Sequence, residues 1–179
     1  MNVRLVSGTF GGRSIACPPG DRTHPMGERI RGSLFNILGD ISGYTVLDAF
    51  AGSGAIGLEA LSRGAAFVTF IERDKVAQNI IGENITTIGV EGRSKLLRTS
   101  VAGWDETSKH EQFDLIFADP PYHDLQLSTV ARLVKYLKQN GLMVLSYSGR
   151  ESVPTVNGVV VVDNRSYGDA ALAFYRPEA

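Results

Sequence analysis

Apolar positions along this chain change their period several times. Ile30, Leu34, Ile37 and Leu38 follow the i, i+4, i+7, i+8 spacing of a helix stripe, with Arg29, Ser33 and Asn36 on another face. Pro25 suits the first turn of that helix, Gly27 and Gly32 weaken it, and Gly39 and Gly43 close it. From Tyr44 onward, apolar β-rich runs alternate with helical ones. Strands are expected at 45–50, 66–72, 94–99 and 113–118. Helices are expected through 58–64 and over 75–88, and over 125–138, where Leu125, Val130, Leu133, Val134 and Leu137 share a side. Further strands fall at 142–147, 158–163 and 170–175.

Near-continuous apolar strands separated by helices predict an α/β fold, a mostly parallel sheet covered on both faces. No helical segment separates the last two strands, so one of them is expected to run antiparallel. The first 24 residues read differently. Segments 4–7 and 13–16 are strand-like and flank Gly11-Gly12, and a loop rich in proline and glycine follows at 17–21. The expected division is an N-terminal hairpin extension over 1–24 and a main domain over 25–179.

The 179 residues fit one domain with a small appendage. A single cysteine, Cys17, excludes an intrachain disulfide and fits a reducing cytoplasm, where the residue reads as a small buried apolar group. Aliphatic runs such as 159–162 are too short to span a bilayer, and the first ten residues carry no signal-peptide core. The net charge of −1 argues against a protein that coats nucleic acid, yet residues 1–44 carry +2 and the remainder −3. A modestly basic N-terminal part on an acidic body can meet phosphates locally.

Three constellations carry chemistry. The first, Asp48-Ala49-Phe50-Ala51-Gly52-Ser53-Gly54, ends the first strand of the main sheet, where open α/β sheets bind ligands. Gly52 and Gly54 admit a close ligand. The run 52–57 also satisfies G-x-G-x-x-G, and Glu72 lies 20 residues after Gly52, the spacing of a dinucleotide site. Asp48 tilts the reading the other way. A carboxylate at the strand tip suits the ammonium of a bound amino acid and repels a pyrophosphate.

The second is Glu72, at the end of the next strand, where a carboxylate can accept both hydroxyls of a ribose. The third, Asp119-Pro120-Pro121-Tyr122, terminates the fourth strand. The exocyclic amine of a nucleic-acid base is a poor nucleophile, because its lone pair is delocalised into the ring. A carboxylate from Asp119 and a carbonyl from Pro120 can bind its N–H groups, localise the lone pair and stabilise the developing positive charge. Pro120 and Pro121 stiffen the turn, and Tyr122 offers a face for an extruded base. His24, His110 and His123 form no ligand set and no metal is expected; Trp104 reads as packing.

The turn at 119–122 resembles that of amino-methyltransferases acting on nucleic-acid bases. More specifically, the chain resembles the RsmD family, bacterial methyltransferases of guanine N2 in 16S ribosomal RNA. The likeness runs through Gly11-Gly12-Arg13, Arg29-Ile30-Arg31, Leu34-Phe35-Asn36-Ile37-Leu38, the glycine loop and Gly57-Leu58-Glu59-Ala60-Leu61-Ser62-Arg63-Gly64-Ala65, to Phe113-Asp114-Leu115-Ile116-Phe117.

The resemblance implies a Rossmann-like fold with a seven-stranded sheet whose last strand is antiparallel, and an N-terminal hairpin that helps hold RNA. S-adenosylmethionine is then the cofactor, with Asp48, Phe50, Gly52, Ser53, Gly54, Glu72, Arg73, Ser100, Val101 and Asp119 around it. Arg4, Arg13, Arg22, His24, Arg29 and Arg31 are expected on the RNA. The partner is the small ribosomal subunit or its assembly intermediate, met by a cytoplasmic monomer. The chain departs from the family pattern at His24, Met26, Gly27 and Gly32, and Ser100 stands where an acid often holds the adenine. Three rival readings remain open on the sequence. They are a DNA adenine-N6 or cytosine-N4 methyltransferase, a non-catalytic RNA-binding assembly factor, and a nicotinamide-dependent oxidoreductase.

Overall fold

The computed structural model describes residues 2–19 and 26–179. A two-stranded hairpin of β1 (Asn2–Arg4) and β2 (Ser14–Ala16) precedes helix α1 (Glu28–Leu38). The main sheet is then built from β3 (Thr45–Asp48), β4 (Phe67–Glu72), β5 (Ser94–Arg98), β6 (Phe113–Ala118), β7 (Leu137–Ser148), β8 (Val159–Tyr167) and β9 (Ala170–Pro177). Helices α2 (Ala55–Ser62), α3 (Lys75–Ile88), α4 (Val101–Thr107) and α5 (Leu127–Arg132) lie between the first five of these strands.

The sheet order is β5-β4-β3-β6-β7-β9-β8. The ladders β3–β4, β3–β6, β4–β5 and β6–β7 are parallel, and only the two ladders of β9 are antiparallel. The seven-stranded expectation therefore holds, and the antiparallel strand is the last, inserted between β7 and β8. The order reverses at β3, which pairs with β4 on one side and β6 on the other. That reversal opens a crevice at the carboxyl ends of these strands.

Two cores cover the two faces of the sheet. One joins Leu34 and Phe35 of α1, Leu58 and Leu61 of α2 and Ile81 of α3 to Phe70 and Phe117, and it includes Leu5 and Ile15 of the hairpin region. The other places Trp104, Val130, Leu133 and Tyr136 over Ile116, Met143 and Leu145. The hairpin is thus tied to the main core by its own apolar side chains.

Two expectations are corrected, and one helix is added. The helix expected over 125–138 is only α5, followed by a 3₁₀ turn at Val134–Tyr136, and β7 already starts at Leu137. Leu137 pairs with Phe113 in the sheet, and Tyr136 packs its ring on Trp104 at 4.3 Å between centroids. Tertiary partners thus override the helical spacing of these residues.

The first hairpin strand lies earlier than 4–7, because the amides of Val6 and Ser7 donate to the Glu59 carboxylate at 2.8 and 3.1 Å instead of to a strand. The added helix, α4, gives little periodic signal because it is short and contains Gly103, its start marked by Ser100 capping the Gly103 amide at 3.0 Å. Among the described residues no helix is long and apolar enough to cross a membrane.

Candidate active site

The glycine loop follows β3 and folds tightly. Gly52 and Gly54 take φ values of 57° and 83°, in the left-handed region that residues with a Cβ rarely enter. The loop is held from the neighbouring strand. Glu72 accepts the Gly52 amide on Oε1 at 2.7 Å and the Asp74 amide on Oε2 at 2.8 Å. Asp74 in turn caps α3 through the Ala77 amide at 3.0 Å. Gln78 donates to the Glu72 carbonyl, so the end of β4 is fixed on both its side chain and its backbone.

Asp48 lies beneath the loop rather than in its mouth. It is fully buried, and Oδ2 accepts the Gly57 amide at 3.0 Å. Its Oδ1 has no hydrogen-bond partner among the described residues. Burial, reinforced by the nearby Asp119 and Glu72 carboxylates, pushes the Asp48 carboxyl up to about 7.

A cleft of about 1030 Å³ opens above these strand ends. Its walls include Phe50, Gly52, Ser53, Glu72, Arg73, Ser100 and Val101 on one side and Asp119, Pro120, Pro121 and Tyr122 on the other. The structure thus brings one sequence-predicted group against the other across a single cavity. Asp48 is not among the residues lining it, so its carboxylate acts on the cavity from below. Gly54 also lies outside the lining, at the start of α2, and Ser100 spends its hydroxyl on capping α4.

The acidic turn is built into the end of β6. Ala118 pairs with Leu145 of β7, which makes Asp119 the neighbour of Ser146. Burial pushes the Asp119 carboxyl up to about 6, and the nearby Ser146 hydroxyl works against that rise. The Tyr122 hydroxyl meets Ser146 Oγ at 2.8 Å while its ring stays half exposed to the cleft. Burial also raises the Tyr122 phenol above its ordinary range.

The expected RNA residues separate. Arg29 is exposed on α1, next to Ile30, which lines the cleft together with Met26 and Gly27. Arg13 is exposed and donates to the Thr87 carbonyl at 2.8 Å. Arg4 is exposed but paired with Glu28 at 3.2 Å. Arg31 is a correction. No part of it reaches solvent, and it donates to Glu59 at 3.1 Å and to the carbonyls of Met26 and Arg4. Its charge is consumed inside the fold, and nucleic acid does not reach it. Arg22 and His24 lie outside the described residues.

Sequence reasoning missed Ser146, Gln126, Thr129 and Ala170 on the cleft wall. For Ser146 a signal existed, since it ends a strand beside the one that carries Asp119. Gln126 stands out only in three dimensions, where its backbone is left-handed at φ 50°.

The chain matches the family described as Conserved hypothetical protein 95 over residues 3–176. It is 31% identical over 182 residues to the ribosomal RNA small subunit methyltransferase D of Escherichia coli strain K12, covering 99% of this chain and 91% of that protein. A solved Escherichia coli structure, the candidate methyltransferase yhhF, aligns with a TM-score of 0.88 at 30% identity, covering 100% of this chain and 99% of that one. SMU.776, a candidate methyltransferase solved with S-adenosylhomocysteine, shares the fold at a TM-score of 0.68 and 17% identity, over 83% of this chain and 48% of that one.

Proposed function

Because the chain belongs to the RsmD family, the family described as Conserved hypothetical protein 95, we propose that it is a ribosomal RNA methyltransferase that uses S-adenosylmethionine to methylate the exocyclic N2 amino group of a guanine in small-subunit RNA. The observation that carries the reading is one cavity walled by the glycine loop and Glu72 on one side and by Asp119 to Tyr122 on the other.

The residues present fit the cofactor. Beneath the loop, Asp48 keeps an oxygen with no hydrogen-bond partner among the described residues, so its charge, when ionised, is left to act on a cation in the cleft above. Glu72 spends one lone pair of each oxygen on a backbone amide and retains others for ribose hydroxyls. Phe50, Ile71 and Val101 give an apolar wall suited to a purine ring. Three carboxyl groups, Asp48, Glu72 and Asp119, lie close enough for the other two to raise the first. That field favours a sulfonium and an ammonium and disfavours a pyrophosphate, which argues against a nicotinamide cofactor.

When bound, S-adenosylmethionine supplies a methyl group on a positively charged sulfur. The protein's part is to place and polarise the acceptor. The Asp119 carboxylate accepts one N–H of the amine, and the Pro120 carbonyl is in the same turn to accept the other. Both stabilise the positive charge that builds on nitrogen. Tyr122 stacks on the extruded base. Arg13 and Arg29 hold phosphates outside the cleft. The small subunit or its assembly intermediate is the partner this reading requires.

The test is incubation with labelled cofactor and undermethylated small subunits, naked ribosomal RNA or DNA, followed by nucleoside analysis. Label in N2-methylguanine from the RNA supports the proposal. Label in N6-methyladenine or N4-methylcytosine of DNA favours the DNA reading, and no label in any substrate leaves the non-catalytic one.

A further inference from the structure

We propose that Asn84 is a positioning residue for the cofactor, one buried carboxamide on α3 that fixes the glycine loop to the N-terminal hairpin. This rests on the cofactor site proposed above. Asn84 is 3% exposed, and its hydrogen bonds reach two segments distant in sequence. Its Nδ2 donates to the Ser53 carbonyl at 3.0 Å and to the Ala16 carbonyl at 2.9 Å. Its Oδ1 accepts the Ala16 amide at 2.9 Å. Both amide hydrogens and the carbonyl oxygen of the side chain are therefore used on backbone groups.

The hairpin explains why this position takes an amide. Asn2 faces Ala16 across the β1–β2 ladder, and Leu5 donates to the Arg13 carbonyl at 2.9 Å. The alternation of an antiparallel ladder then turns the amide and carbonyl of Ala16 away from β1. The Asn84 carboxamide, chemically a peptide group, stands where a third strand would. Aspartate at this position would offer no N–H to the two carbonyls, and alanine would leave all three backbone groups without their partner.

The other end of the link is in the cofactor loop. Ser53 lines the cleft and lies between Gly52 and Gly54, both with left-handed backbones. Two glycines around one residue leave that peptide free to turn unless something holds it. Glu72 holds the Gly52 amide from β4, and the Gly54 amide bonds the Ala51 carbonyl at 2.8 Å. Asn84 holds the Ser53 carbonyl from α3, without itself lining the cleft. Ile81, one turn earlier on the buried face of α3, stands against Gly54. The hairpin is thus part of the support of the cofactor loop, and a ligand that orders the loop must also resist opening of the hairpin at Ala16. A second tie of the hairpin does not touch the loop. At the far end of α2, Ser62 Oγ accepts the Phe10 amide at 2.9 Å and donates to the Ser7 carbonyl at 2.6 Å.

The experiment compares the wild type with Asn84→Ala, Asn84→Asp and Ser62→Ala, at a temperature where circular dichroism shows each folded. Calorimetry with S-adenosylhomocysteine is expected to give a Kd roughly tenfold weaker in both Asn84 variants, the worth of one hydrogen bond in the loop. Ser62→Ala is expected to bind like the wild type. In turnover, Asn84→Ala is expected to raise the KM for S-adenosylmethionine by the same factor and to keep kcat at saturating cofactor. An unchanged Kd in Asn84→Ala, or an equal loss in Ser62→Ala, overturns the proposal. Amide hydrogen exchange of the wild type decides the matter if the Asn84 variants do not fold. Saturating S-adenosylhomocysteine is expected to slow exchange of the Ala16 amide more than that of the Phe10 amide, and equal slowing of the two overturns the proposal. A wild type that does not bind S-adenosylhomocysteine sinks the cofactor reading itself. A wild type that binds it no better than Asn84→Ala sinks this inference alone.

Discussion

Arg31 and Glu59 form an ion pair at 3.1 Å with both side chains sealed from solvent. Glu59 also accepts Arg63 at 2.9 Å and the amides of Val6 and Ser7, so one carboxylate joins α1, α2 and the hairpin. Removing a single partner of such a pair strands the other charge in the interior. Glu59→Ala is expected to cost about 3–5 kcal/mol of unfolding free energy. Arg31→Ala is expected to be similarly costly. Denaturant unfolding measures both.

The proposed phosphate contacts are expected to behave differently. Arg29→Ala and Arg13→Ala are expected to weaken RNA binding with little effect on stability, and each is expected to lower the log–log salt slope of affinity by about one. Binding measured across a salt series decides this. Unchanged RNA affinity of the double variant at low salt would remove both residues from the interface.

Glu72 supports the glycine loop and lines the cleft proposed to take the cofactor. Glu72→Gln keeps one acceptor and turns an amide N–H₂ against either the Gly52 or the Asp74 amide. Loss of a hydrogen bond to a charged group predicts a roughly tenfold to hundredfold weaker Kd for S-adenosylhomocysteine, with the fold retained. Calorimetry reads it directly.

Asp48 sets a pH dependence of stability in the cofactor-free protein. Its folded carboxyl is raised to about 7 from an ordinary 3.8. Between those values the folded state binds more protons than the unfolded state, so stability falls as pH rises. The favourable protonated contribution is full below pH 3.8 and lost as pH passes through about 7. Asp48→Asn removes that fall. It is expected to raise Tm at pH 8 by several degrees and to leave it little changed at pH 4, the full effect being at most about 4 kcal/mol. A wild-type Tm that climbs from pH 4 to 7 in parallel with the variant's would contradict it.

Much of this was legible because strand tips are written in one stretch of sequence. Asp48 to Gly54, Glu72 and Asp119 to Tyr122 each follow an apolar run, and the parallel sheet alone brings the three together. Helix α3 was legible over 75–88 from its spacing, and the structure adds Asp74 as its cap. What the sequence hid depends on partners far along the chain. Arg31 looks like any surface arginine until Glu59 arrives from 28 residues away. The span 125–138 has a helical period, but Leu137 is claimed by Phe113. Ser146 is an ordinary polar residue until the β6–β7 register sets it beside Asp119.

The central claim is that the Asp119 carboxylate activates the acceptor amine across the cleft from the cofactor. Single-turnover methyl transfer to undermethylated small subunits tests it most directly, comparing the wild type with Asp119→Ala while binding of S-adenosylhomocysteine and RNA is followed in parallel. The account predicts a rate lower by about a hundredfold to a thousandfold with the fold and RNA binding retained. Transfer by Asp119→Ala at the wild-type rate would contradict it.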